Sequence, residues 1–117
     1  MAFPSTYDFN YYRGDTAEFV IRPKTSNGSA YDLTNYTATF TIANRRGSTG
    51  TQYVATAVTN ATTDIITCTI TPAVGRTLAA GTYVYDVQIT DAIPNPDVIL
   101  TVLTGSITVT DDITGAV

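Results

Sequence analysis

The sequence predicts an all-β chain, an antiparallel β-sandwich of seven or eight strands in a single domain spanning residues 1–117. Residues 80–90 and 98–110 alternate apolar and polar side chains and consist largely of Thr, Ile, Val and Tyr, a period-two pattern that fits strands with one buried face. Prolines and glycines punctuate the apolar runs, so local signals agree with one another along the chain. A length of 117 residues suffices for one core and not for two.

Taken in order, a first strand is expected over residues 7–12, with Tyr7, Phe9 and Tyr11 on one face and Tyr12 on the other. Arg13-Gly14-Asp15 reads as a tight turn with Gly at a position of positive φ. Residues 16–22 form the second strand, with Ala17, Phe19 and Ile21 on one face, and Pro23 ends it. After a Ser-, Asn- and Gly-rich loop over 24–30, residues 36–43 alternate as a third strand with the Thr side chains in water. Residues 44–50 hold two glycines and no apolar side chain, which predicts a hairpin tip leading into a strand over 52–58.

A further strand spans 63–71 and stops at Pro72, and residues 73–80 leave room for one turn of helix. Between the two C-terminal runs, Pro94 and Pro96 mark a loop, because proline cannot donate to a ladder. Phe40, Ile42, Ile70, Tyr83, Tyr85, Val87, Ile89, Ile107 and Val109 are the expected inward-facing core. Cys68 alternates with threonines and, as the single cysteine, reads as a small core hydrophobe.

Charged residues make up 14% of the chain, against an ordinary share of about 25%. The surface is therefore clothed mainly in hydroxyls and amides, which suits contact with other proteins. Six scattered basic residues and a net charge of −4 offer no stripe to neutralise phosphates, so nucleic acid is not an expected partner. No run of about 18 apolar residues is present, and residues 1–6 lack signal-peptide features. A soluble, unexported chain without a membrane partner is expected.

The absence of His excludes Ser-His-Asp, Cys-His and His-metal arrangements. A glycosidase would need two facing carboxylates, for which Asp86 with Asp91, or Asp111 with Asp112, are the candidates; solvated or turn-capping roles fit these positions better. Asp91 with Asp97, and Asp111 with Asp112, lack the alternating oxygen ligands of a calcium loop. No metal, cofactor or catalytic residue is therefore assigned. The tripeptide at Arg13 and the glycosylation-like triplets at Asn27, Asn35 and Asn60 read as turn chemistry and chance matches in a Thr-rich chain.

Tyr83, two residues after Gly81, fits the corner tyrosine of immunoglobulin-like sandwiches, whose hydroxyl bonds back to upstream backbone. With no Trp and a single Cys, the likeness is to that architecture and not to antibody domains. The ordered set Arg13-Gly14-Asp15-Thr16, Tyr31-Asp32-Leu33-Thr34, Leu78 through Gly81-Thr82-Tyr83-Val84-Tyr85-Asp86-Val87, and Leu103-Thr104-Gly105-Ser106-Ile107-Thr108-Val109 with Asp112-Ile113-Thr114 resembles small tailed-bacteriophage virion proteins. The resemblance is to the immunoglobulin-like N-terminal domain of upper baseplate proteins and its stand-alone relatives. It implies a non-enzymatic structural subunit, either capsid cement or decoration or a tail or baseplate component. Such a subunit is assembled in the host cytoplasm and binds other virion proteins in multiple copies or as a homo-oligomer in the particle.

The chain ends at Val117 without the fibre-bearing region that follows the domain in baseplate proteins, which favours a stand-alone joining or decorating subunit. The expected partner-binding residues are Met1, Ala2, Phe3 and Pro4 at one end, Ile113 and Val117 at the other, and Arg45 and Arg46 at the hairpin tip. The alternative is a glycan-binding or adhesin-type module in which exposed tyrosines stack on sugars.

Overall fold

The computed structural model describes residues 5–24, 27–47, 51–91 and 98–111. Eight strands and one short helix follow the chain as β1 (Ser5–Thr6), β2 (Phe9–Tyr12), β3 (Ala17–Ile21), β4 (Tyr36–Ala43), β5 (Gln52–Asn60), β6 (Ile65–Ile70), α1 (Pro72–Gly75), β7 (Gly81–Asp91) and β8 (Val98–Thr110). The all-β expectation holds. One hydrogen-bonded path runs β1-β8-β7-β4-β5-β6-β3, with β2 also on β8.

The path folds back on itself at β5. Its first part pairs with β4, from Ala43↔Gln52 to Phe40↔Ala55, and its second part pairs with β6, from Thr56↔Thr69 to Asn60↔Ile65. A strand that changes partner in this way makes a corner. The corner brings Phe19 of β3 against Phe9, Phe40 and Tyr85, with ring centroids 5.5, 5.5 and 6.3 Å away. Aromatic pairs at such separations add about 0.5–1.5 kcal/mol each beyond the area they bury. The nine expected core residues are all buried, and so is Cys68.

Expectation and structure differ in how the N-terminal strands pair. The ladders β3·β6, β4·β5, β4·β7, β5·β6 and β7·β8 are antiparallel, whereas β1 and β2 lie parallel to β8, so the sheet is mixed. Alternation of side chains is the same in either direction and does not encode this choice. The expected first strand is also broken. Asp8 Oδ1 accepts the Ser106 N–H at 2.9 Å, taking a donor that a continuous ladder would use, and pairing resumes at Phe9↔Ile107.

The core contains residues whose local sequence gave no period-two signal. Leu33 and Leu78 sit in connecting segments yet are fully buried. The loop of Leu33 is held by its own N–H on Asp64 Oδ1 at 3.2 Å. Val102 and Leu103 are neighbours and both buried, because the β7·β8 register shifts between Val87 and Gln88; such a bulge places two consecutive side chains on one face. Helix α1 starts at an N-cap, Thr71, whose hydroxyl accepts the Val74 N–H at 3.4 Å, with Pro72 in its first turn, the position where a missing N–H costs nothing.

Candidate functional site

Adjacent strands put a polar row on the outer face of the sheet. Register aligns Val54 with Thr41, Thr41 with Asp86, and Asp86 with Thr104, across β5, β4, β7 and β8. The strands turn these positions outward, with Thr41, Asp86 and Thr104 half-buried and Val54 exposed, because their neighbours Phe40, Tyr85 and Val87 point into the core. Above the row, the β4–β5 hairpin is tied at its neck by the Thr51 N–H on Asn44 Oδ1 at 2.9 Å. Arg45, Arg46 and Gly47, which follow β4, border a groove of about 300 Å³ lined also by Thr41, Gln52, Asp86 and Gln88.

Arg46 closes one side of the groove, and its Nη2 donates to Thr104 Oγ1 at 2.7 Å. Thr104 Oγ1 in turn donates to the Tyr85 carbonyl at 3.2 Å. Burial pushes the Asp86 carboxyl above its ordinary value of 3.8, and the positive charge of Arg46 acts against that shift. The groove thus joins a guanidinium donor, a carboxylate acceptor and the Gln88 amide, which donates to Thr101 Oγ1 at 3.4 Å. Such a set can hydrogen-bond the polar groups of a docked chain or the hydroxyls of a sugar.

Of the expected partner-binding residues, Arg45 and Arg46 lie in this groove; Met1, Ala2, Phe3, Pro4, Ile113 and Val117 lie outside the described residues. Asp86 and Asp91 stand five residues apart on β7, which puts them on opposite faces and about 17 Å apart along the strand. They are not a carboxylate pair facing across a cleft. Asp111 follows β8 and is exposed, and Asp97 and Asp112 lie outside the described residues. Thr41, Gln52, Gln88 and Thr104 were not singled out by sequence, since only the β5-β4-β7-β8 order brings them beside Asp86. No group of three or more metal-binding side chains occurs among the described residues.

Arg13 and Tyr83 form a second constellation around the start of β7. The Tyr12-Arg13-Gly14-Asp15 turn is closed by the Asp15 N–H on the Tyr12 carbonyl at 3.0 Å, with Gly14 at φ 87°. A side chain at that φ is strained, and a Cβ there would lie 2.9 Å from the Arg76 guanidinium. Arg13 Nε donates to the Leu78 carbonyl at 3.0 Å and Nη2 to the Arg76 carbonyl at 2.7 Å. The guanidinium of this tripeptide therefore faces its own chain. Tyr83 donates its hydroxyl to the Ala79 carbonyl at 2.8 Å, which is the backward bond expected of a corner tyrosine.

No protein-family model matches the chain, and no curated protein matches it. Among solved structures, a family 123 glycoside hydrolase from Clostridium perfringens, described for glycolipid glycan hydrolysis, is similar over 93% of this chain at 13% identity and a TM-score of 0.38. The chain spans 23% of that enzyme's chain. At that score the likeness carries neither fold nor activity across.

Proposed function

We propose that the chain is a non-enzymatic structural module of a tailed-bacteriophage particle, an immunoglobulin-like docking or decorating subunit bound to other virion proteins in multiple copies. The observation that carries this reading is the pair of hydrogen bonds that Arg13 donates to the carbonyls of Leu78 and Arg76. Two of the motifs behind the phage resemblance, Arg13 to Thr16 and Leu78 through Val87, are far apart in sequence and bonded to each other in space. A likeness carried by mutually bonded residues concerns a three-dimensional joint. Strand composition alone, shared by many unrelated β-proteins, would make no such link.

The surface supports a binding role. The groove beside Arg45 and Arg46 brings Arg46, Asp86 and Gln88 together on the outer face, where a partner's loop can meet a donor and an acceptor together. A glycan-binding module is the second reading, favoured by the same three side chains, which suit sugar hydroxyls. The exposed tyrosines Tyr7 and Tyr12 do not line that groove, and Tyr85, which does, is buried with its ring against Phe40, so among the described residues the groove offers no exposed ring on which a sugar would stack.

The test is to present the purified chain both to a glycan array and to intact and dissociated particles of the phage that encodes it. Saturable binding to a particle component, reduced at least about tenfold by Arg46→Ala with Asp86→Ala, is the expected result. Retention on defined glycans with no binding to any particle component would replace the virion reading with the carbohydrate one.

A further inference from the structure

Among the described residues, the path of seven strands leaves β3 bonded on one side only, to β6. Such an edge carries a row of backbone donors and acceptors ready to pair with another strand. Beside it lies a groove of about 420 Å³ between the two ends of the curled sheet, with Ser5, Thr6 and Tyr7 on one wall, Phe19 to Arg22 on the other, and Leu103 between them. The edge is therefore reachable.

We propose that β3 pairs antiparallel with β3 of a second copy of this chain, about a two-fold axis through Val20. The argument is charge complementarity along the edge. Glu18, Val20 and Arg22 share the outer face and are exposed. In an antiparallel pair, side chains directly opposite each other share a face, so only registers that match outer residues with outer residues continue the sheet. The register centred on Val20 sets Val20 against Val20, and each Glu18 against Arg22 of the other copy. Moving the axis to Phe19 sets Glu18 against Val20, and moving it to Ile21 sets Val20 against Arg22, so neither forms an ion pair. Moving it to Glu18 sets Glu18 against Glu18, and moving it to Arg22 sets Arg22 against Arg22. Both are repulsive.

The surrounding surface fits the same register. Val20 pairs with Thr67, and Thr67 with Val58; Val20 and Val58 are 38% and 57% exposed. Joining two copies at Val20 sets the two exposed valines side by side at the centre of a row that runs Val58-Thr67-Val20 in each copy, across six strands. On the inner face Phe19 of one copy meets Ile21 of the other, over the apolar groove that Tyr7 and Leu103 line. Pro23 has no N–H to extend the ladder, so pairing is confined to about five residues. An isologous contact of this kind closes on itself as a dimer and does not propagate into a fibre. The inference is independent of the virion reading.

The experiment is sedimentation velocity of the purified chain from about 1 μM to 1 mM, the range suited to a small interface, with Glu18→Arg and Arg22→Glu variants. The wild-type chain is expected to dimerise, and each variant alone to do so at least about tenfold more weakly, since both cross-strand ion pairs become repulsive. An equimolar mixture of the two variants restores wild-type affinity as a one-to-one heterodimer, because every introduced charge then faces its opposite. The double variant Glu18→Arg/Arg22→Glu dimerises like wild type. A wild-type chain that stays monomeric to 1 mM, variants that dimerise undiminished, or a mixture that fails to recover would each overturn the proposal.

Discussion

Tyr85 and Tyr7 are joined through the core: the Tyr85 hydroxyl donates to the Tyr7 carbonyl at 2.5 Å, across 78 positions of sequence. Gly105 stands opposite Tyr85 on β8, and a Cβ there would overlap the Tyr7 carbonyl oxygen. The hydroxyl and the missing side chain together seat the N-terminal strands parallel to β8. Tyr85→Phe should cost about 1–3 kcal/mol through the unmet carbonyl, and Gly105→Ala at least about 1–3 kcal/mol by overpacking. Denaturant unfolding reads both; a Gly105→Ala chain as stable as wild type would contradict this seating.

Ile107 is fully buried and Thr108 beside it is exposed. Ile107→Ala should cost about 2–5 kcal/mol and Thr108→Ala under about 1. Equal losses in chemical denaturation would mean that β8 presents the opposite face to the core.

How much of this was legible in the sequence depends on the physical signal behind each feature. Alternation marks a strand and its buried face, so residues 36–43 and 81–90 were readable, and so was the turn glycine at Gly14. Leu33 and Leu78 were not, because a single apolar residue in a polar loop has no period. The adjacent pair Val102-Leu103 was the one visible trace of the bulge. The strand order left no mark in any local pattern, and the groove exists because of that order: Arg46 and Thr104 meet only once β4, β7 and β8 lie side by side. Arg45 and Arg46 were singled out as part of a polar tip, without Asp86 beneath them.

The Arg13 fork bonds two carbonyls from one planar group, which an ammonium cannot reproduce. Arg13→Lys is expected to lose nearly as much as Arg13→Ala, about 1–3 kcal/mol for charged hydrogen bonds to backbone. Thermal unfolding checks it, and full rescue by lysine would show that charge alone matters there.

Burial pushes the Cys68 thiol up to about 12, so almost no thiolate forms at neutral pH. A disulfide reagent should leave the native chain unmodified and react at the rate of unfolding. Rapid labelling under native conditions would place Cys68 outside the core.

Asp86 holds its proton more tightly in the folded chain than at the ordinary value of 3.8, because burial outweighs Arg46. Below the unfolded value both states are protonated and the group is neutral in its effect. As pH rises through that value and then through the higher folded one, the unfolded state releases the proton first and stability falls. Asp86→Asn removes this loss, so its melting temperature should rise relative to wild type on going from about pH 3 to 7. A relative fall over that range would show that Arg46 outweighs burial.

The most direct test of the proposed virion role is quantitative mass spectrometry of gradient-purified phage particles from cultures that express this sequence, with isotope-labelled peptides from this chain as standards. The account predicts the chain at a fixed ratio of several copies per particle, co-sedimenting with the particle proteins. Its absence from purified particles, with full recovery in the free-protein fraction of the same lysate, would contradict it.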